Sequence, residues 1–314
     1  MNQYSAFTPL LKDFPMRHPS FPTALARLIA PAAFALGIVA GPAAAQSAAP
    51  LTLQVYNADA ASFHVNAVLV SGKTDAVLLD TGFTRADALR IAAMVLDSKK
   101  VLKTIYISQA DPDFYFGIEV LQQHFPQAQI VATAPTRKKI EATLPTKLRV
   151  WGPRLGANAP QRVPLPDLLS GNTIMLEGQP LEIRGLDGAL PHRSHVWIPS
   201  IRAIAGGVNT FAGLHVWTAD TQSAQERADW AAQLGSMAAL APAVVIPGHS
   251  LPGQKQDVSQ LRYTQTYLAR FEQELPKAAN STALIDAMKA AYPDAGLGIA
   301  LEIGAKVNKG EMKW

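Results

Sequence analysis

The stretch "IYISQADPDFYFG", residues 105–117, decides the fold. It begins as a short apolar strand, turns at Asp-Pro-Asp, and continues through three aromatic residues to Gly117. The proline between the two aspartates makes the turn rigid, because its ring fixes the backbone angle φ. The stretch predicts a strand that runs directly into a polar loop and then into a helix, which is an α/β arrangement.

The residues around this loop predict the first half of such a fold. Three β-rich runs form a meander that ends at Asp80, over 51–57, 63–72 and 75–83. A helical period then covers 84–98, with Thr84 as the N-cap. Further elements are predicted as a strand at 101–108, a helix at 117–124, a strand at 129–133, a helix at 135–144 and a proline-rich loop at 152–178.

The second half repeats the pattern. Strands are predicted at 172–186, 194–207 and 214–219, followed by a helix at 223–240 and a buried strand at 243–250. Two sets of strands, each followed by strand-helix units, predict an α/β four-layer αββα sandwich of two mixed β-sheets flanked by helices. Two amphipathic segments, 258–273 and 281–292, predict a C-terminal helical extension that packs on the sandwich or on a second subunit. The expected domains are therefore 1–45, a signal peptide; 46–257, the sandwich; and 258–314, the extension.

The first 45 residues have the form of a secretory signal. Lys12, Arg17 and Arg27 precede an apolar run over 28–45, which ends in three alanines. We expect cleavage after Ala45 and export, so that the protein is periplasmic or secreted. A membrane anchor is the alternative, but prolines and glycines interrupt the run. Met16 is a second possible start.

Composition excludes two classes of function. The chain has 28 Lys/Arg and 24 Asp/Glu, of which three and one lie in the signal, so the mature net charge is +2 and argues against a nucleic-acid partner. No other run approaches the roughly 20 apolar residues of a spanning helix, so we expect no stable membrane anchor after signal removal. Since the chain has no cysteine, only histidine and carboxylate side chains could hold a transition metal. The expected partner is a small-molecule ligand or substrate.

The order of four motifs resembles the metallo-β-lactamase superfamily over residues 51–252. The motifs are "LLDTGF" at 78–83, "SQADPDFYFG" at 108–117, "WIPSIRAIAGG" at 197–207 and "VVIPGH" at 244–249. The resemblance implies the αββα sandwich and a mono- or dinuclear zinc site between the sheet edges. It also implies seven ligand positions: a His-x-His-x-Asp-His motif, a further His, a bridging Asp, and a final His in a Gly-His pair.

Most of these ligand positions are replaced in this chain. Within the first motif, Gln109, Asp111 and Phe114 stand where the family has histidine, and Asp113 keeps the aspartate. The downstream His falls near Asp187 or Ala189, the bridging Asp falls on Gly207, and the final His is kept as His249. With five of seven positions changed, the resemblance implies a divergent member in which the usual dinuclear zinc mechanism is absent.

The surviving residues predict a smaller site. We expect Asp113 and His249 as catalytic residues, and Asp111, Asp113, His249 and Asp187 as ligands of one divalent metal, Zn²⁺, Mn²⁺ or Mg²⁺, with no metal at all as the alternative. Predicted pocket-lining residues are Gln109, Phe114, Tyr115 and His215. Structural roles are predicted for Asp80, Gly82, Gly117, Gly207 and Gly248. His192, His195 and His215 are the histidines near the expected mouth, and for each of them packing or solvent exposure is the competing interpretation.

Two functions remain open on the sequence. The first is an exported hydrolase of an ester, lactone or amide with a non-standard mononuclear site, in which Asp113 acts as the base. The second is a pseudoenzyme that keeps the fold as a ligand-binding or scaffold module, and a third option is metal-free acid-base catalysis by Asp113 and His249.

Overall fold

The first β-sheet contains six strands in sequential order. The computed structural model describes residues 49–314, so the predicted signal lies outside the described residues. β1 to β3 are antiparallel and β3 to β6 are parallel. Their bounds are β1 Thr52–Asn57, β2 Asn66–Ser71, β3 Asp75–Leu79, β4 Val101–Ile107, β5 Gln129–Ala132 and β6 Asp167–Leu168.

The second sheet has five strands in the order β12-β10-β9-β8-β7. All neighbours are antiparallel except β10 and β12, which run parallel. A separate parallel pair, β11 with β13, places Phe211 beside His249. The bounds are β7 Thr173–Leu176, β8 Gln179–Arg184, β9 His195–Ile198, β10 Ala203–Ala205, β11 Phe211–Ala212, β12 Val244–Val245 and β13 His249–Ser250.

Helices cover the outer face of each sheet. They are α1 Arg85–Asp97, α2 Pro112–Tyr115, α3 Ile118–His124, α4 Ala134–Leu155, α5 Ala224–Ala239, α6 Ser259–Glu274, α7 Ser281–Ala291 and α8 Gly298–Asn308. Short 3-10 helices lie at Ala60–Ser62, Gly156–Asn158 and Pro199–Ile201. None of the helices within residues 49–314 has the length and apolar character needed to cross a membrane.

Three apolar cores separate the four layers. On β3, Ala76 and Leu78 face the helices α1, α3 and α4, whereas Val77 and Leu79 face the second sheet. This alternation follows from the two-residue period of a strand. The outer face of the second sheet, including Trp197 on β9, packs on helices α5 to α8. The predicted αββα sandwich is therefore confirmed.

The C-terminal helices are part of this sandwich. Leu261 and Phe271 of α6, Leu284 of α7 and Leu301 of α8 are buried in the same core as Trp230 of α5. Residues 49–314 accordingly lie in one compact unit. Of the two alternatives open on the sequence, the structure shows packing on the sandwich.

Some predicted elements agree with the structure and others differ from it. Thr84 caps α1 as predicted, and the reciprocal bond from Asp87 completes a capping box. The predicted helix 135–144 extends to Leu155 through Pro145 and Pro153, so the proline-rich loop begins later. The strand predicted at 214–219 is wrong, because these residues form only an isolated bridge at Leu214 and irregular backbone. Helix α8 was not predicted.

One hydrogen-bonded chain ties the two sheets together at their edge. The Ser108 backbone N–H and hydroxyl donate to the two carboxylate oxygens of Asp80, at 2.8 and 2.6 Å. The same hydroxyl oxygen accepts from the backbone N–H of Gly207, which follows β10 in the second sheet, at 2.7 Å. Burial raises the pKa of Asp80 to about 7 against the effect of the Ser108 bonds. Asp80 therefore positions the site loop from beneath.

Glycine is required where the backbone segments of this edge cross. A Cβ on Gly117 would lie 2.0 Å from the carbonyl oxygen of Thr81, and one on Gly248 would lie 2.4 Å from that of Gly207. Gly207 itself adopts φ of +77° and would meet the Ser194 carbonyl at 2.1 Å. Gly82 has φ of +82° at the turn before α1. These positions admit no side chain.

We predict that Asp80→Asn changes the pH dependence of stability. Because the folded-state pKa is raised, Asp80 favours folding at low pH and loses that contribution as the pH rises through about 7. The asparagine variant cannot lose it, so its free energy of unfolding relative to the parent should improve by about 3 kcal/mol between pH 5 and pH 8. Urea unfolding at several pH values measures this difference. Asp75→Asn, which removes a partly exposed carboxylate from the same strand, is the control.

A matched pair of glycine substitutions tests the crossing. Gly117→Ala should lose about 3 kcal/mol or more, because the new methyl group meets a backbone carbonyl that cannot rotate away. Gly235→Ala, in the interior of α5 with its nearest neighbour atom in ordinary contact at 3.7 Å, should gain about 0.5–1 kcal/mol from helix propensity. Chemical denaturation measures both. Equal effects of the two substitutions would contradict the steric explanation.

Candidate functional site

A small cavity of about 40 Å³ lies beside the loop that follows β4. The loop contributes Asp111, Pro112 and Asp113, and β13 contributes His249. Three residues predicted from the sequence to form the site therefore do meet around one cavity. The volume suits a few water molecules or a compact group of a ligand.

The ring of His249 is held on three sides. Phe211 stacks on it with centroids 4.9 Å apart, and Phe114 packs edge-on at 5.5 Å. Its Nδ1 lies 2.9 Å from the carbonyl oxygen of Phe63, a residue in the left-handed region with φ of 57°. Since a carbonyl only accepts, Nδ1 carries the proton and Nε2 keeps its lone pair.

Asp113 faces that lone pair. Its Oδ2 lies 3.6 Å from Nε2 of His249, and both side chains are buried. Burial, followed by the charge of Asp111, raises the pKa of Asp113 well above its usual range. Burial also lowers the pKa of His249 to about 4. Burial therefore favours the neutral form of each group.

Asp111 binds a cation supplied by the chain itself. Its Oδ1 lies 3.5 Å from Nζ of Lys147 on α4, and the side chains are 20% and 17% exposed. Lys147 also lies 5.4 Å from the centre of the Trp314 ring. Burial works against the ammonium, but the charges of Asp111 and Asp220 outweigh it and raise the pKa of Lys147. A permanent positive charge therefore stands at the cavity.

Aromatic side chains form most of the remaining wall. Trp217 and Trp314 pack edge to face at 5.3 Å, and both indole N–H groups donate to Asp220. Phe63 and Trp151 contact each other at 5.3 Å on another side. Val208 and Leu297 complete the apolar surface. Such walls favour an apolar group of a ligand.

Sequence reasoning missed these wall residues and Lys147. Lys147 and Trp151 lie four residues apart on α4, which is the spacing that puts two side chains on one helix face. That signal was lost because the predicted helix ended at 144. Phe63, Trp217 and Trp314 come from distant parts of the chain and carry no local signal.

The residues predicted to line the pocket lie elsewhere. Gln109 is buried and its amide oxygen accepts from the next backbone N–H, whereas Phe114 and Tyr115 belong to the apolar cores. His215 does not line the cavity either, because its Nδ1 lies 3.0 Å from the Tyr267 hydroxyl in the core against α6. All four side chains are buried, and none of them lines the cavity.

Two further predicted groups are separated from the cavity. Asp187 lines a depression formed by residues 171–172 and 183–187 and does not join Asp111, Asp113 and His249. His195 lies beneath α5, and His192 is half-buried with a pKa lowered by burial to about 4. Within residues 49–314, no group of three or more His, Cys, Asp or Glu side chains is arranged to hold a metal ion.

Comparison with known proteins decides the family. A family model described as the metallo-beta-lactamase superfamily matches residues 62–249. The chain belongs to the metallo-beta-lactamase superfamily. The match spans the Asp80 strand, the Asp-Pro-Asp loop and His249, so it includes every motif that carried the resemblance.

Solved structures of superfamily members share the fold at low identity. A metallo-beta-lactamase from Pontibacter korlensis is 18% identical over 70% of this chain and 95% of its own, with a TM-score of 0.50. A metallo-beta-lactamase family protein from Thermus thermophilus is 16% identical over 83% of this chain and 92% of its own, with a TM-score of 0.56. A beta-lactamase domain protein from Burkholderia ambifaria is 13% identical over 83% of this chain and 84% of its own, with a TM-score of 0.58. No curated protein matches the chain.

The residues present do not fit the zinc centre that the superfamily implies. Asp113 and His249 could share an ion at their 3.6 Å separation, but zinc needs about four ligands. Asp111 is bound to the Lys147 ammonium, which would repel a cation beside it. Gly207 has no side chain to bridge two metals. The donor set therefore falls short of a superfamily metal site.

A double-mutant cycle tests the Asp111–Lys147 pair. Asp111→Asn, Lys147→Met and the double variant should give a coupling energy of about 1 kcal/mol, because both side chains are largely withdrawn from water. The control pair, Asp75 and Lys103, is more exposed and 4.0 Å apart, and its coupling should stay below about 0.5 kcal/mol. Denaturant unfolding provides all the values. Equal coupling in the two pairs would show that the site pair is an ordinary surface contact.

Proposed function

We propose that the protein is a ligand-binding module built on the metallo-beta-lactamase fold, with a site that works without a metal. The observation that carries this proposal is the Lys147 ammonium bound by Asp111, on the loop where the superfamily holds its metal. The Lys147 ammonium supplies a positive charge, as a metal ion would, and it cannot dissociate because it is part of the chain. The geometry thus favours the binding alternative over a mononuclear metal hydrolase.

The proposed ligand is a small molecule with a compact apolar group. That group enters the cavity between the Trp217–Trp314 pair and Trp151, where it displaces water from indole faces. A polar group of the ligand stays near Lys147 and Asp111 at the charged end of the cavity. We place this activity after export, in the periplasm or outside the cell, on the strength of the signal pattern in residues 1–45.

Metal-free acid-base catalysis is the second candidate. The 3.6 Å approach of Asp113 and His249 favours it, because a neutral acid beside a free imidazole nitrogen could give and take a proton. Against it stands the low pKa of His249, about 4, which makes the imidazole a weak base at neutral pH. We therefore rank catalysis below binding.

Metal and turnover measurements on the mature protein test the proposal. Zn²⁺ and Mn²⁺ at about 1 mM should raise the melting temperature by less than about 1 °C, since no ion is bound by the native state. Hydrolysis of p-nitrophenyl acetate, γ-butyrolactone and a β-lactam should be no faster than with an Asp113→Asn/His249→Asn variant. A metal-induced stabilisation together with turnover would overturn the binding module. Metal-free turnover lost in the double variant would establish the second candidate instead.

Binding itself is followed by tryptophan fluorescence, because three tryptophans line the cavity. Short alcohols from ethanol to pentanol are the probes, and the signal should saturate and be weakened at least about threefold in Trp314→Ala. Met312→Ala, on the same terminal segment, is the matched control and should leave the signal unchanged. Non-saturating responses, identical in all three proteins, would contradict a binding cavity.

A further inference from the structure

A second cavity, of about 350 Å³, lies between the outer face of the second sheet and α5. Arg184 of β8 and His195 of β9 line the sheet side, and Asp229 and Gln233 line the helix side. It shares no lining residue with the cavity at His249. His195 takes no part in the site at His249.

His195 is a buried side chain with unused hydrogen-bonding capacity. It is 4% exposed, and neither ring nitrogen has a hydrogen-bond partner among residues 49–314. Burial, and then the charge of Arg184, lower its pKa to about 4, so the ring is neutral and presents one donor and one acceptor. Buried polar atoms in native proteins are nearly always paired, so these two nitrogens mark the part of the cavity wall where a hydrogen-bonding partner is missing.

Charges of both signs face the same cavity. Arg184 is the cross-strand neighbour of His195, and its Nε and Nη2 bind Glu182, which leaves further N–H donors of its guanidinium free. Asp229 on α5 accepts through one oxygen from Gln225 at 2.9 Å, and its second oxygen makes no hydrogen bond within the described chain. Leu190 and Leu240 add apolar surface. A ligand with a single charge would be repelled by one of these two side chains. A ligand that carries both a positive and a negative charge would be attracted by both.

We propose that this second cavity binds a free α-amino acid with an aliphatic side chain. Its carboxylate is bound by Arg184 and the N–H of His195, its ammonium by Asp229, and its side chain by Leu190 and Leu240. This site is independent of the cavity at His249 and of the ligand proposed there.

Titration of the mature protein with matched probes tests the assignment. L-Alanine, L-valine and L-leucine are followed by calorimetry and by the imidazole nitrogen resonances of His195. At least one of the three should bind with a dissociation constant below about 10 mM and move these resonances. For L-leucine, removal of the amine in 4-methylpentanoate, or of the carboxylate in 3-methylbutylamine, should weaken binding at least about tenfold.

Charge-specific variants identify the contacts. Arg184→Gln should weaken the binding of L-leucine at least about tenfold and leave the binding of 3-methylbutylamine unchanged. Asp229→Asn should also weaken the binding of L-leucine at least about tenfold, but leave the binding of 4-methylpentanoate unchanged. The Arg184 side chain is 41% exposed, so its loss leaves the core intact. Arg90→Gln, an exposed arginine on α1 away from both cavities, is the control. Circular dichroism verifies that each variant is folded.

Three results would overturn the proposal. The first is that none of the three amino acids binds, which leaves water as the occupant of the cavity. The second is that leucine and its two truncated analogues bind alike, which excludes recognition of a zwitterion. The third is binding that does not move the His195 resonances or that survives both charge variants, because the amino acid would then occupy another place. None of these results bears on binding at the His249 cavity.

Discussion

The Ser108 hydroxyl is the contact on which the site depends. It donates to Asp80 at the end of β3 and accepts from Gly207 after β10, so one oxygen joins the edges of the two sheets. The Asp-Pro-Asp loop begins directly after Ser108, and the segment from Gly207 leads to Phe211, which stacks on His249. The distance between Asp113 and His249 therefore follows from where this oxygen holds the sheets. Because all three groups are buried, water cannot replace the bonds, and their loss would leave polar atoms unsatisfied.

The replaced ligand positions are consistent with one another in the folded protein. Gly207 stands where the resemblance expects a bridging carboxylate, and its backbone N–H is used in the Ser108 link while a Cβ would meet the Ser194 carbonyl at 2.1 Å. Phe114 stands where a histidine is expected and packs edge-on against His249. Asp111, in place of another histidine, is bound to Lys147. Each of these three replacements has a structural partner of its own, which is expected of an altered site and not of random loss.

The sequence was informative wherever a local pattern decided the structure. Alternation predicted the strands, Thr84 predicted the start of α1, and the spaced motifs predicted the sandwich. Prediction failed where contacts between residues far apart in the sequence determine the structure. His215 lies in an apolar stretch that resembles a strand, yet its ring is bound by Tyr267 of α6, some fifty residues later in the chain. The walls of the cavity come from Phe63, α4 and Trp314, which only the complete fold brings together. Proline rules would end α4 at Pro145, but packing of Trp151 against Phe63 and Phe83 continues the helix and brings Lys147 to the site.

A tethered ammonium and a bound metal ion impose different demands on the same cavity. A divalent ion attracts several anionic or imidazole donors and keeps nearby carboxylates ionised. A single ammonium is neutralised by one carboxylate, here Asp111, and Asp113 then lies in a buried position where its pKa rises. Burial likewise favours the uncharged form of His249, so Phe114 and Phe211 enclose its ring without the cost of burying an imidazolium. The aromatic enclosure, the neutral pair and the Lys147 cation are therefore linked consequences of one change in the charge that the site holds.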